Sequence, residues 1–193
     1  VDDASLKELG FDPSRLARVE DAVRTDIADG RCHGVSMIVA RKGQVVLDLT
    51  EGYSNRAEGI ALGHDAVFAT MSVAKQFTNV LALSLVERGL LKLHAPIAEL
   101  IPEFATLGKE KVNLFHLLTH TSGIMSAIPP VPPEVLMNLD KLLEFACALP
   151  LESQPGERVN YSILLGHSII AALCLRADGR GRRYADMLNE EVF

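Results

Sequence analysis

Phe68-Ala69-Thr70-Met71-Ser72-Val73-Ala74-Lys75-Gln76-Phe77-Thr78 opens a run that stays mostly apolar to Leu90, with Gly89 at its end. Its apolar residues recur at helical spacing, so Val73 to Leu90 is expected to be a helix. Ser72 and Lys75 stand three residues apart on one face of it, and the Lys75 ammonium can turn back toward the Ser72 hydroxyl. A serine hydroxyl is a weak nucleophile at neutral pH and becomes useful when a base within hydrogen-bond reach takes its proton. Lysine can be that base when burial and neighbouring cationic or donor groups favour its neutral form. This is the only Ser-x-x-Lys in the sequence.

Upstream of this run, Asp12 to Asp29 reads as a helix. Asp12 can cap it, Pro13 suits its first turn, Leu16, Val19, Val23 and Ile27 recur at helical spacing, and Gly30 stops it. Val35 to Ala40 and Gln44 to Thr50 are apolar, β-branched runs around Arg41-Lys42-Gly43, the pattern of a β-hairpin. A lone hairpin is marginal in water, so further strands are expected. Downstream the character turns helical. Val112 to Leu118 suits a short helix running into His120-Thr121-Ser122-Gly123, and Pro129 to Pro133 a stiff loop. Glu134 to Ala148, Ser162 to Arg176 and Arg183 to Val192 have helical spacing.

The composition bounds the function. The chain has 193 residues, 48% hydrophobic and 23% charged, which is the make-up of a soluble globular protein. A net charge of −6 without a clustered basic face speaks against a nucleic-acid partner. The short basic stretch Arg176 to Arg183, interrupted by Asp178 and Gly179, reads as a solvated turn. Cys32, Cys147 and Cys174 form neither a disulfide framework nor a zinc pattern, and burial is the expectation for each. His33, His64, His94, His116 and His167 lack metal-ligand spacing. No apolar stretch approaches the roughly 20 residues of a membrane helix. With no signal-peptide pattern at the start, a cytoplasmic location without membrane partners is expected.

The Phe68 to Thr78 segment resembles the nucleophile segment of class C β-lactamases and their esterase relatives, in the superfamily of serine β-lactamases and penicillin-binding proteins. Leu90-Leu91-Lys92-Leu93-His94-Ala95-Pro96-Ile97 is similar to that family's segment after the nucleophile helix. Leu117-Leu118-Thr119-His120-Thr121-Ser122-Gly123-Ile124 resembles its His-Thr-Ser-Gly turn, and Pro155-Gly156-Glu157-Arg158-Val159-Asn160-Tyr161-Ser162 the segment bearing its catalytic tyrosine. The four stretches fall in the family's order, from Ile38 to about Gly166. The resemblance implies that Ser72 is acylated, that Lys75 assists its deprotonation, and that Tyr161 relays the proton to the leaving group. A tyrosine beside a lysine can spend time as phenolate, because the positive charge lowers its pKa. The resemblance makes the turn at His120 structural, its hydroxyls and imidazole tying down backbone near the site. Neither a metal nor an organic cofactor is called for.

Two departures shape the expectation. The β-lactamase branch carries asparagine two positions after the tyrosine, where this chain has Ile163. Its side chain can neither donate nor accept, which favours the esterase and acyltransferase branch. The family's third motif, Lys-Thr-Gly or a His-x-Gly variant on an inner strand, is absent. In the family that strand supplies one donor of the oxyanion hole, worth about 100- to 1,000-fold in rate. A complementary C-terminal polypeptide, or a longer parent protein, is therefore expected to complete the fold.

The architecture expected is α+β: an antiparallel sheet flanked by helices, to which residues 1–65 contribute a helix and hairpin, plus an all-helical region in residues 66–193, with the site between them. The function expected is a serine hydrolase or acyltransferase acting on small esters through Ser72. The alternatives are a β-lactamase or D-amino-acid peptidase, with a lactam or peptide substrate, and a non-catalytic binding or scaffold protein.

Overall fold

Lys42 and Gly43 both take positive φ, 51° and 77°, the conformation of a two-residue turn whose twist matches that of its flanking strands. In the computed structural model, which describes residues 2–193, this turn joins β1 (Gly34–Arg41) to β2 (Gln44–Asn55). The two pair antiparallel from Gly34↔Gly52 to Arg41↔Gln44, with a bulge between Val39 and Ala40. β2 runs five residues past the expected end at Thr50, and its far end pairs with β3 (Ile60–Ala61). The sheet is three-stranded in the order β1-β2-β3. The hairpin thus gains part of the pairing that it lacked alone.

The helix expected at Asp12 is α2 (Pro13–Ala28), and the Asp12 carboxylate accepts from the backbone N–H groups of Ser14 and Arg15 as its cap. Val23 and Ile27 bury against Leu47 and Leu49 of β2. A short helix not anticipated, α1 (Asp3–Glu8), is capped by Asp2 and packs Leu6 and Leu9 on Val46. These elements belong to a first unit that ends at Ala69; a second runs from Thr70 to Phe193.

The second unit is helical: α3 (Ala74–Glu87), α4 (Leu114–Leu118), α5 (Pro133–Leu136), α6 (Leu139–Ala148), α7 (Leu165–Asp178) and α8 (Tyr184–Glu191). α7 is buried from Leu165 to Cys174, and α3, α4 and α6 pack on it. Leu81, Leu85, Phe104, Leu114, Leu117, Ile169, Ile170 and Met187 form the centre of this core.

Four expectations need correction here. Ser72 lies outside α3, in a 3₁₀ turn (Met71–Val73) in which Val73 N donates to Thr70 O three residues back at 3.0 Å, and the α-helix begins only at Ala74. Glu134 to Ala148 is two helices, since the Asn138 side chain accepts from Lys141 N at 3.0 Å and starts α6 afresh. α7 begins at Leu165 rather than Ser162. The Ser162 hydroxyl donates to Met125 O (2.9 Å) and accepts from Gly166 N (3.0 Å), which anchors the preceding segment outside the helix. The basic stretch at Arg176 to Arg183 is solvated at Arg176, Arg180 and Arg183, as expected, but not at Arg182. The Asp178 side chain is only 2% exposed and accepts from Arg180 and Arg182, while Glu191 takes Arg88, Arg180 and Arg182. The hydrogen bonds from Arg182, ahead of all other causes, hold the Asp178 carboxyl down to about 2.

Burial is also uneven among the cysteines: only Cys174 is buried, its thiol pushed up to about 12 by desolvation, while Cys32 and Cys147 are partly exposed. A buried lysine does exist, but it is Lys109. It is fully enclosed, its ammonium donates to Cys147 O and Leu149 O at the end of α6, and it lies 5.7 Å from the centre of the Phe104 ring. Burial lowers its pKa.

Candidate active site

Three main-chain carbonyls of the His-Thr-Ser-Gly turn each take an N–H from the segment leading to Tyr161. Asn160 donates to His120 O (2.7 Å), Gly156 to Thr121 O (2.8 Å) and Glu152 to Gly123 O (2.7 Å). Gly123 sits at a φ of 74°, and a Cβ there would run into the main-chain oxygen of Ser153. Asn160 is fixed a second time, its amide donating to the Glu152 carboxylate at 2.6 Å. The turn is thus a frame for the residues just before Tyr161, as the resemblance implied. Its imidazole acts otherwise than expected: the His120 ring packs 4.6 Å from that of Tyr161.

Ser72, Lys75 and Tyr161, taken from the sequence as the site, come together in the second unit. The Tyr161 hydroxyl donates to Ser72 Oγ at 2.8 Å across 89 residues of sequence. Lys75 Nζ donates to the same Oγ at 3.2 Å and to the main-chain oxygen of Ile163 at 2.9 Å. It also lies 5.2 Å from the centre of the Tyr161 ring. Ile163, whose side chain has no polar atom, therefore takes part through its backbone, which side-chain chemistry alone could not reveal.

The electrostatics follow from these contacts. The Tyr161 phenol is held below its ordinary value, first by its hydrogen bond with Ser72 and next by Lys75. Among the described residues the Ser72 backbone N–H meets no main-chain acceptor, as for the first amides of any helical turn. Two ionisable side chains thus converge on one hydroxyl oxygen, an arrangement that could serve acyl transfer.

Ser72, Lys75, Gln76, Asn79, His120, Tyr161 and His167 line a cleft of about 490 Å³. Lys75 and His167 also line a second cavity of about 310 Å³ with Met71, Leu139, Ile163, Leu164 and Ala171, where Thr78, Ser168 and Tyr184 add polar groups. Asn79 and His167 were not picked out as site residues. The signal was present: Asn79 follows Lys75 by four residues on one helix face, and His167 interrupts a run otherwise composed for burial. His167 Nε2 lies 3.0 Å from Asn79 Oδ1, and burial, with His120 and Lys75 adding, lowers its pKa to about 4.

Known proteins resemble the chain in sequence and in fold. Esterase EstB of Burkholderia gladioli is 32% identical over 197 residues, which cover 92% of this chain and 50% of the esterase. A solved family VIII carboxylesterase superposes with a TM-score of 0.81 at 28% identity, over 90% of this chain and 47% of its own. A penicillin-binding-protein homologue from Caulobacter crescentus gives a TM-score of 0.81 at 26% identity, over 93% and 48%. The chain thus spans about half the length of these proteins, and its fold is the β-lactamase and transpeptidase-like fold expected from the sequence. The model of the family described as Beta-lactamase matches residues 19–193, and with that match running through Ser72, Lys75 and Tyr161, the chain belongs to the Beta-lactamase family.

Proposed function

We propose that this chain carries the acyl-transfer centre of a serine hydrolase acting on small esters through an acyl-enzyme on Ser72. The convergence of Tyr161 OH and Lys75 Nζ on Ser72 Oγ carries this reading. In its phenolate form Tyr161 takes the Ser72 proton as the oxygen attacks the ester carbonyl, and returns it to the departing alcohol. Lys75, anchored on the Ile163 carbonyl, supplies the positive charge that favours the phenolate. The free Ser72 N–H is a donor for the developing oxyanion. Water then repeats the sequence on the acyl-enzyme; an alcohol in its place gives acyl transfer.

Esters are preferred over lactams for two reasons. Ile163 puts an apolar side chain where the β-lactamase branch holds a substrate amide, and the second cavity beside Lys75 is lined mainly by apolar side chains. The relatives named esterase and carboxylesterase support the same choice. Neither those proteins nor the penicillin-binding-protein homologue speaks for a separate C-terminal polypeptide. No helix among the described residues is long and apolar enough to cross a membrane.

Incubation with a fluorophosphonate probe, followed by intact-mass measurement, tests the centre. One adduct that disappears in Ser72→Ala is expected; a folded protein that takes none with its C-terminal portion present would overturn the reading in favour of a non-catalytic scaffold. Acylation by short p-nitrophenyl esters in preference to a chromogenic cephalosporin or a D-amino-acid peptide is expected, and the reverse order would move the assignment to the β-lactamase or peptidase alternative.

A further inference from the structure

α7 is built for burial: Leu165, Ile169, Ile170, Leu173 and Cys174 are enclosed by the core, and His167 lies among them with only 9% of its surface exposed. A leucine or phenylalanine there would add to the core at no polar cost. The histidine leaves its Nδ1 buried without any hydrogen-bond partner, which ordinarily costs about 1–3 kcal/mol. Packing therefore does not explain it, and its contacts offer a reason.

Those contacts lead to the Ser72 centre by two routes. Through Nε2, His167 meets Asn79 on α3 at 3.0 Å, and Asn79 lies one helical turn from Lys75, on the same face. Through its ring it packs on His120, with centroids 5.5 Å apart, and His120 packs on Tyr161 at 4.6 Å. One side chain thus touches both the helix that carries Lys75 and the ring that backs Tyr161. Because Asn79 Oδ1 accepts, Nε2 donates. Burial and the lack of any partner for Nδ1 favour the neutral ring, which adds no second positive charge beside Lys75.

We propose that His167 and Asn79 are positioning residues for the Ser72 centre, fixing Lys75 through the hydrogen bond to α3 and the Tyr161 ring through the stack on His120. The proposal rests on the reading of Ser72, Lys75 and Tyr161 as an acyl-transfer centre. It adds a part that touches none of the reacting atoms. Misplacement by about 1 Å can cost about 100-fold in rate, so a device of this kind has a measurable effect.

The test uses the whole chain with His167→Phe, His167→Gln and Asn79→Leu, and two readouts. The first is the rate of fluorophosphonate adduct formation at Ser72. His167→Phe and Asn79→Leu are expected to slow it about ten- to a hundred-fold, while His167→Gln, which can still donate to Asn79, recovers most of it. The second is the pH titration of the Tyr161 phenol, followed by NMR with ring-labelled tyrosine. It is expected to move upward in His167→Phe and Asn79→Leu and to stay low in His167→Gln. A wild-type protein that takes no adduct with its C-terminal portion present would sink the acyl-transfer reading, and the Tyr161 titration would still decide the positioning role. Two readouts unchanged in either apolar variant that remains folded would overturn the proposal.

Discussion

Lys75 Nζ lies closer to the main-chain oxygen of Ile163, at 2.9 Å, than to Ser72 Oγ, at 3.2 Å. The cation is held by an atom that no substitution removes, so the side chain at position 163 can change without releasing it. Ile163→Asn is expected to leave fluorophosphonate labelling of Ser72 within about twofold of wild type. It should raise acylation by a cephalosporin relative to a p-nitrophenyl ester about tenfold, the value of one added hydrogen bond. Intact-mass kinetics with the two substrates measure the ratio, and an unchanged ratio would remove Ile163 from substrate choice.

Tyr161 acts as a base only in its phenolate form. The fraction in that form rises with pH and levels off above the phenol's pKa, which Ser72 and Lys75 hold below the ordinary tyrosine value. Labelling of Ser72 should therefore rise with pH and level off at a lower pH than an ordinary tyrosine would set. Lys75→Met is expected to move the rise to higher pH, and Tyr161→Phe to lower the plateau by about 100- to 10,000-fold. The double variant should lose little more than the worse single one, since the two residues act as a unit.

His167 is neutral in the folded chain down to about pH 4, whereas in the unfolded chain it takes a proton near its ordinary value of 6.5. Between these values the unfolded state binds more protons, so stability is full above pH 6.5 and falls as the pH drops toward 4. The loss is on the order of 2–3 kcal/mol. His116 and His120, also lowered by burial, add in the same direction. Urea melts at pH 7.5, 5.5 and 4.5 should show the fall, and His167→Phe should flatten it.

Lys109→Met keeps the length of the side chain but removes the donor to Cys147 O and Leu149 O. Both carbonyls lie at the end of α6, where no helical N–H reaches them, and Thr106 Oγ1 is left bonding Cys147 O alone. A loss of about 2–4 kcal/mol in unfolding free energy is expected, with Ser72 labelling per folded molecule unchanged. Denaturant titration checks it; a loss under about 0.5 kcal/mol would show that the interior tolerates the Leu149 carbonyl unpaired.

The elements legible in the sequence are those whose signals are local. Asp12 and Pro13 mark the start of α2 and Lys42-Gly43 the hairpin, because each is decided within a few residues. Tyr161 became legible only through the order of family motifs, since its partner stands 89 residues away. What stayed hidden depends on distant contacts. Periodicity runs unbroken through Met137-Asn138, yet the Asn138 side chain competes for the backbone and restarts the helix. Arg182 looked solvated because its charge partners at Glu190 and Glu191 come from the far end of α8. His167 was weighed only as a metal ligand, and nothing near it in sequence announces Asn79.

The enclosure of Lys109 has a use beyond stability. An amine-reactive acylating reagent modifies exposed lysines within moments, but it meets this amine only when the end of α6 lifts away from Phe104. The extent of labelling at Lys109 over time, read by peptide mass, therefore reports how much of the time that end of α6 stands open. The chain carries its own gauge of local opening.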